Sequence, residues 1–199
     1  MATTHALVGF VLGAVAMALG LPGPIAAMSA VAGSVAPDLD LYYGHRKTLH
    51  YPVLAPVAAL LAGGLAVVLG GSLALFALAL FLVAAAVHVW LDVLGGGLEL
   101  RPWEGTSEKA VYDHVRGRWI APRRWVPYDG SPEDLALAGG LTMVVAPVYD
   151  GVWGTLAIAL VAVSFAYVLL RRRLATLATV VVERLPAPLR TRVPARYLE

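Results

Sequence analysis

The sequence predicts an all-α, polytopic integral membrane protein: a bundle of about six apolar helices, the first two short, with both termini in the cytoplasm. Three observations carry this. The 199 residues are 59% hydrophobic and only 14% charged, with a mean hydropathy of +0.75, which is too apolar for an ordinary soluble domain of this length. Apolar runs of helical length alternate with glycine and proline breakers. The basic residues outside those runs cluster so that they can share one face of a membrane.

Residues 5–20 and 23–36 are apolar and are divided by Gly20-Leu21-Pro22-Gly23-Pro24, a breaker that imposes a helical hairpin. At about 1.5 Å per residue, neither arm reaches the ~30 Å of a hydrocarbon core. A polar loop follows at 37–51. Residues 52–70 and 72–94, divided by Gly70-Gly71, give two longer helices rich in Ala, Leu and Val. Gly95-Gly96-Gly97 then opens a polar segment reaching 133, with Arg101, Lys109, Glu99, Glu104, Glu108, Asp113 and Asp129. Trp90, Trp103, Trp119 and Trp125 fit an interfacial aromatic belt. The last two apolar runs, 135–149 and 152–170, are joined by Asp150-Gly151 and end at Arg171-Arg172-Arg173. The tail carries Arg184, Arg190, Arg192 and Arg196 between apolar residues and is expected to lie on the membrane surface. The expected organisation is therefore a membrane domain at 1–104, a polar cytoplasmic excursion at 105–133, a transmembrane hairpin at 134–173 and a basic surface tail at 174–199.

Composition also excludes several functions. Without cysteine there is no disulfide framework, thiolate metal site or cysteine nucleophile, so a transition metal would have to be held by His and carboxylate. The net charge of +2 suggests contact with anionic lipid more than with nucleic acid, and no base-reading motif is visible. No serine sits in a nucleophile-elbow pattern. Met1-Ala2-Thr3-Thr4-His5 lacks the basic start of a secretory signal, so this end is expected to be retained.

Between Met1 and Gly97 the only Asp, Lys or Arg residues are Asp38, Asp40, Arg46, Lys47 and Asp92. The histidines there are His5, His45, His50 and His88, and Glu is absent. Ionisable groups in an apolar chain cost free energy unless they are paired or bind an ion, so they mark function. The positive-inside rule puts the excursion and Arg171–Arg173 in the cytoplasm. Counting back through the helices brings His5, Asp38, Asp40, His45, His50, His88 and Asp92 to that same face. His88 and Asp92 are i and i+4 on one helix and can reach one ion or neighbouring ions. Asp38 and Asp40 supply oxygen, so the mixed N/O set suits zinc, manganese or iron, with more ligand candidates than one tetrahedral ion requires. A site of that kind hydrolyses phosphoesters, and the Arg46 fork can pair with a substrate phosphate.

Thr4-His5, Pro37-Asp38-Leu39-Asp40, the His45-Arg46…His50 loop, and His88-x-x-x-Asp92 followed by Gly95–Gly97 and Pro102-Trp103 together resemble the YdjM-type membrane-bound metal-dependent hydrolases. The match covers about the first 104 residues. The resemblance implies a helical membrane protein with His and Asp metal ligands, distantly similar to zinc phospholipase C and P1-type nuclease sites. Carried onto this chain, it implies His5, Asp38, Asp40, His50, His88 and Asp92 as ligands, with His45 and Arg46 as catalytic residues. The family loop usually reads His-Arg-Gly-x-Thr-His-Ser; here Lys47, Leu49 and Tyr51 replace the Gly, Thr and Ser.

The expected function is membrane-embedded hydrolysis of a phospholipid or other phosphoester by metal-activated water at the cytoplasmic interface. The alternatives are a protein that binds or transports a metal ion and a non-catalytic structural membrane protein. Transport favours polar groups near the bilayer midplane, whereas here they collect at one end. A phosphatidic-acid-phosphatase-type enzyme would carry Ser-Arg shortly before the His-x-x-x-Asp, where this chain has Phe81-Leu82-Val83-Ala84-Ala85-Ala86-Val87. Asp113 and His114 are the only further catalytic candidates in the excursion.

Overall fold

A computed structural model of the protein describes residues 1–194 and 197; Arg196 of the basic tail lies outside the described residues. The chain is mostly helical. Helices α1 (Ala2–Ala18) and α2 (Gly23–Val35) form the expected first hairpin, and Pro22 and Pro24 place the start of α2 where a missing N–H costs nothing. A 3-10 turn over Ala36–Asp40 leads into the polar loop. Helices α3 (Leu54–Val68) and α4 (Leu73–Leu94) follow, and Gly70 and Gly71 turn between them at φ of 77° and 88°.

Helix α5 (Pro132–Val145) begins earlier than the hydropathy suggests. Ser131 caps it by accepting the Asp134 N–H at 3.1 Å, and Pro132, Glu133 and Asp134 fill its first turn. Helix α6 (Gly151–Glu183) is longer than expected, because it runs through Arg171–Arg173 without a break. Charge ends an apolar run but not a helix: no glycine or proline occurs between Thr155 and Leu185. A four-residue helix α7 (Ala187–Arg190) closes the described chain.

The excursion corrects the all-α expectation. It folds as a β-hairpin, β1 (Val111–Asp113) antiparallel to β2 (Arg118–Ile120), with Tyr112 opposite Trp119. Val111 and Ala110 pack against Val89 and Val93 of α4, so the hairpin is anchored to the same helix that carries His88 and Asp92.

Two crossings set the positions of the site elements. At Gly33, α2 meets α4 so closely that a Cβ would overlap the Phe81 carbonyl. At Gly9, a Cβ would come within 2.8 Å of the Ser34 hydroxyl oxygen, so α1 lies almost on α2. The main apolar core joins α1, α2, α5 and α6 through Leu7, Phe10, Ala27, Ala138, Val145, Tyr149 and Ala157. The Tyr149 hydroxyl donates to the Phe10 carbonyl at 2.9 Å, which satisfies its polar end.

Among the described residues, two helices, α4 and α6, are long and apolar enough to cross a membrane; α1 and α3 are apolar but shorter.

Candidate metal centre

Three elements meet at the polar end of the bundle. Helix α4 contributes His88 and Asp92 from one face, the 3-10 turn contributes Asp38, and the loop before α3 contributes His50. One ligand atom from each of Asp38, His50, His88 and Asp92 lies within 4.8 Å of the others, so the four can hold a metal ion. His50 Nε2 is 3.1 Å and His88 Nε2 3.5 Å from Asp92 Oδ2, and His88 Nε2 is 3.6 Å from Asp38 Oδ1. Ligands about 2.0–2.2 Å from a tetrahedral ion sit about 3.4 Å apart, so these separations fit one ion among them.

The ring nitrogens are oriented for that purpose. His88 Nδ1 lies 2.6 Å from the Ser34 carbonyl oxygen, which only accepts, so Nδ1 carries a proton and Nε2 is the nitrogen that faces the cluster. His88 Nε2 is buried and has no hydrogen-bond partner. A buried nitrogen without a partner is costly unless something binds it, and a metal ion is a group that could do so here. His50 Nδ1 lies 3.0 Å from Asp40 Oδ2, the carboxylate–histidine arrangement that aims the far nitrogen at a metal.

The geometry revises the role expected for Asp40. Its Oδ1 is 3.0 Å from His45 Nδ1 and accepts the Arg46 N–H at 3.3 Å; its Oδ2 takes His50 Nδ1 and accepts the Leu49 N–H at 3.1 Å. All four acceptor positions of a carboxylate are filled, so Asp40 orients the loop and His50 and leaves the ion to Asp38 and Asp92. His45, expected as catalytic, is held against Asp40 beside the cavity described below.

His5 lies against the four-residue group. Its ring centroid is 3.9 Å from that of His88, with Nδ1 3.9 Å from Asp38 Oδ2 and Nε2 3.7 Å from Asp92 Oδ1. Both its nitrogens are buried without a hydrogen-bond partner. Arg46 sits at φ 58°, an uncommon conformation for a residue with a Cβ. It is held there by its N–H on Asp40 and by Tyr112, whose N–H donates to its carbonyl at 3.0 Å. Its guanidinium is 3.2 Å from Asp92 Oδ1 and donates to the Gly96 carbonyl at 2.7 Å. The fork expected to meet a substrate phosphate is therefore already fastened to Asp92.

Burial would raise the Asp38 carboxyl, but His5 and His88 beside it hold it well below the usual carboxylate range. Asp40 is lowered in the same way: burial raises it, and His45, His50 and the Leu49 N–H outweigh that. For His50, burial lowers the imidazole and the contacts to Asp40 and Asp92 raise it, with a net rise. Both carboxylates are therefore ionised, Asp38 with its charge available to a cation and Asp40 with its charge spent on His45, His50 and the loop.

No family model, curated protein or solved structure matches the chain.

A cavity of about 550 Å³ opens on one side of the cluster. His5, Asp38 and Asp92 face it, together with Arg46, His45 and Glu99; His50 and His88 are closed off behind them. Its far wall belongs to α6, through Val163, Tyr167, Arg171 and Leu174. These α6 residues escaped the sequence reading, since nothing local marks Tyr167 and Arg171 as neighbours of a site built more than 70 residues earlier. The segment between α4 and the excursion closes the cavity on another side. Leu98 to Leu100 line it, Arg171 donates to the Leu100 carbonyl at 3.1 Å, and Trp103 lies 5.5 and 5.3 Å from the Arg171 and Arg172 guanidinium carbons. Asp113 is turned away from the cluster onto Arg116, and His114 contacts the Lys47 carbonyl, so both serve the excursion's own structure.

Proposed function

We propose that the protein is a membrane-embedded, metal-dependent hydrolase of the YdjM type, acting on a phospholipid or other phosphoester at the cytoplasmic face. The observation that carries this reading is the two-sided build of the centre. His50 and His88 are fixed from behind with Nε2 directed inward, while Asp38 and Asp92 look into a cavity large enough for a substrate.

A divalent ion held by Asp38, His50, His88 and Asp92, with zinc first and manganese or iron after it, would supply Lewis acidity and a water acidified toward neutrality. The chain's own groups do the rest. Arg46 holds Asp92 in place and keeps a positive charge beside the cluster. Among the described residues, carboxylates outnumber guanidiniums on the cavity wall, so an anionic substrate is repelled until a cation binds. His5, with the outer oxygens of Asp38 and Asp92, is the set available to a second ion. With no second ion, the cavity-facing ring of His5 is the group placed to take a proton from water as the water oxygen bonds to phosphorus, and to return it to the leaving oxygen as the bond from phosphorus to the alcohol breaks.

Membrane insertion is supported by the outer surfaces of the long helices. Only 28% of the most apolar window of α4 and 17% of that of α6 is buried inside the protein, so most of their apolar side chains face outward. The flat exposure of Leu60, Leu61, Val67 and Val68 on α3 adds to the same belt. Arg171–Arg173 and the excursion then mark the cytoplasmic face, with both termini on it. This cavity, closed behind His50 and His88, favours hydrolysis over transit of an ion.

The direct test loads detergent-purified protein with zinc or manganese and follows hydrolysis of bis(4-nitrophenyl) phosphate and of phospholipids. Turnover that requires the metal and is lost in Asp92→Asn supports the reading. Metal-loaded protein that turns over neither substrate overturns it.

A further inference from the structure

The cavity joins two unlike walls. Its lining includes the charged Asp38, Asp92 and Arg46 and the apolar Leu98 and Leu100, with Leu174, Ala175 and Ala178 of α6. The apolar α6 residues of this lining follow Arg171–Arg173 in the chain, where a helix leaving a membrane ordinarily turns polar. Here residues 174–182 read Leu-Ala-Thr-Leu-Ala-Thr-Val-Val-Val, without a charge before Glu183. Positions 174, 175 and 178 share one face, and the small side chains of Ala175 and Ala178 leave open the space that a Leu would fill. At about 550 Å³, the volume lies within the roughly 300–1,000 Å³ typical of sites that enclose a whole organic ligand, and far exceeds what a phosphate group needs.

We propose that this α6 wall is a subsite for the acyl chains of an anionic phospholipid, whose phosphate lies at the Asp38–Asp92 end. Arg171, which also lines the cavity, adds positive charge for that phosphate, and Arg46 does so from its place on Asp92. The proposal deepens the hydrolase reading by naming where the rest of the substrate goes, and binding alone can test it.

The chain has no cysteine, so Ala178→Cys and Leu177→Cys each introduce one thiol, the first on the cavity wall and the second on the outer side of the same helix. The rate of thiol modification by N-ethylmaleimide is measured by mass spectrometry in detergent with zinc-loaded protein. It is measured alone, with dioctanoyl phosphatidic acid, and with dioctanoylglycerol, which has the same chains without phosphate. At phosphatidic acid concentrations a few times its Kd, modification at 178 slows about five-fold while 177 is unchanged, and dioctanoylglycerol protects much less. Equal protection of both thiols, protection of neither, or equal protection by both amphiphiles overturns the proposal. Each comparison is made within one variant, so a loss of stability does not mimic the result. Hydrolysis of bis(4-nitrophenyl) phosphate without protection at 178 leaves the hydrolase reading standing and removes the subsite. Protection without any hydrolysis does the reverse.

Discussion

The Nδ1 atom of His88, on α4, lies 2.6 Å from the main-chain oxygen of Ser34, on α2. One contact thus fixes the tautomer of a ligand and ties it to the helix crossing next to it, where Gly33 lets α2 reach the Phe81 carbonyl. Fold and site are coupled at this point. Gly33→Val forces the crossing apart, so it lowers stability by about 1–3 kcal/mol and weakens metal binding as well. Thermal unfolding and zinc titration on the same detergent preparation check both effects. Loss of stability with unchanged affinity would separate the crossing from the site.

Asp40 accepts four contacts and holds no position open for an ion. Asp40→Asn keeps the shape but loses the charge that orients His50, so metal affinity falls about 10–100-fold without disappearing. Competition titration with a chelating dye measures this. Complete loss of binding would make Asp40 a ligand after all.

The pH dependence follows from His50, whose pKa is raised in the metal-free protein above its ordinary 6.5 by Asp40 and Asp92 against the opposing effect of burial. A raised imidazole contributes stability that is fully present below pH 6.5 and is lost as pH climbs through the raised value. Asp38 and Asp40 are depressed, so their contribution is present above the usual carboxylate range and is lost only in strong acid. Metal-free protein therefore loses thermal stability from pH 6.5 upward, while zinc affinity rises over the same interval by about tenfold per pH unit, as one proton is displaced per ion. Unfolding scans and zinc titrations across that range test the opposite signs.

The assigned orientation predicts which loops share a face. A single cysteine at exposed Tyr43 reacts with a membrane-impermeant maleimide only from the cytoplasmic side, and one at Asp150 only from the other. Labelling of intact cells against inverted vesicles distinguishes them. Both sites reacting from one side would contradict the topology.

Much of the site was legible because charge is so scarce in this chain. His5, Asp38, Asp40, His45, Arg46, His50, His88 and Asp92 stand out from their apolar surroundings, and the structure brings them together. The division of labour among them was not legible. Whether a carboxylate binds an ion or a neighbouring histidine depends on how the 41–50 loop folds back, and Asp40 differs from Asp38 only in that respect. The helix boundaries that failed have a similar origin. Hydropathy marks where apolar residues stop, so it ended the last segment at Arg171, whereas α6 continues on intrinsic helix propensity. The β-hairpin escaped because its strands are three residues each, too short for an alternating pattern.

The central claim is that Asp38, His50, His88 and Asp92 bind a metal ion. Elemental analysis of detergent-purified protein, wild type beside His88→Ala/Asp92→Ala, tests it most directly. The account predicts about one or more equivalents of a transition metal in the wild type and none in the double variant. Wild-type protein without metal that takes up neither zinc nor manganese on reconstitution would contradict it.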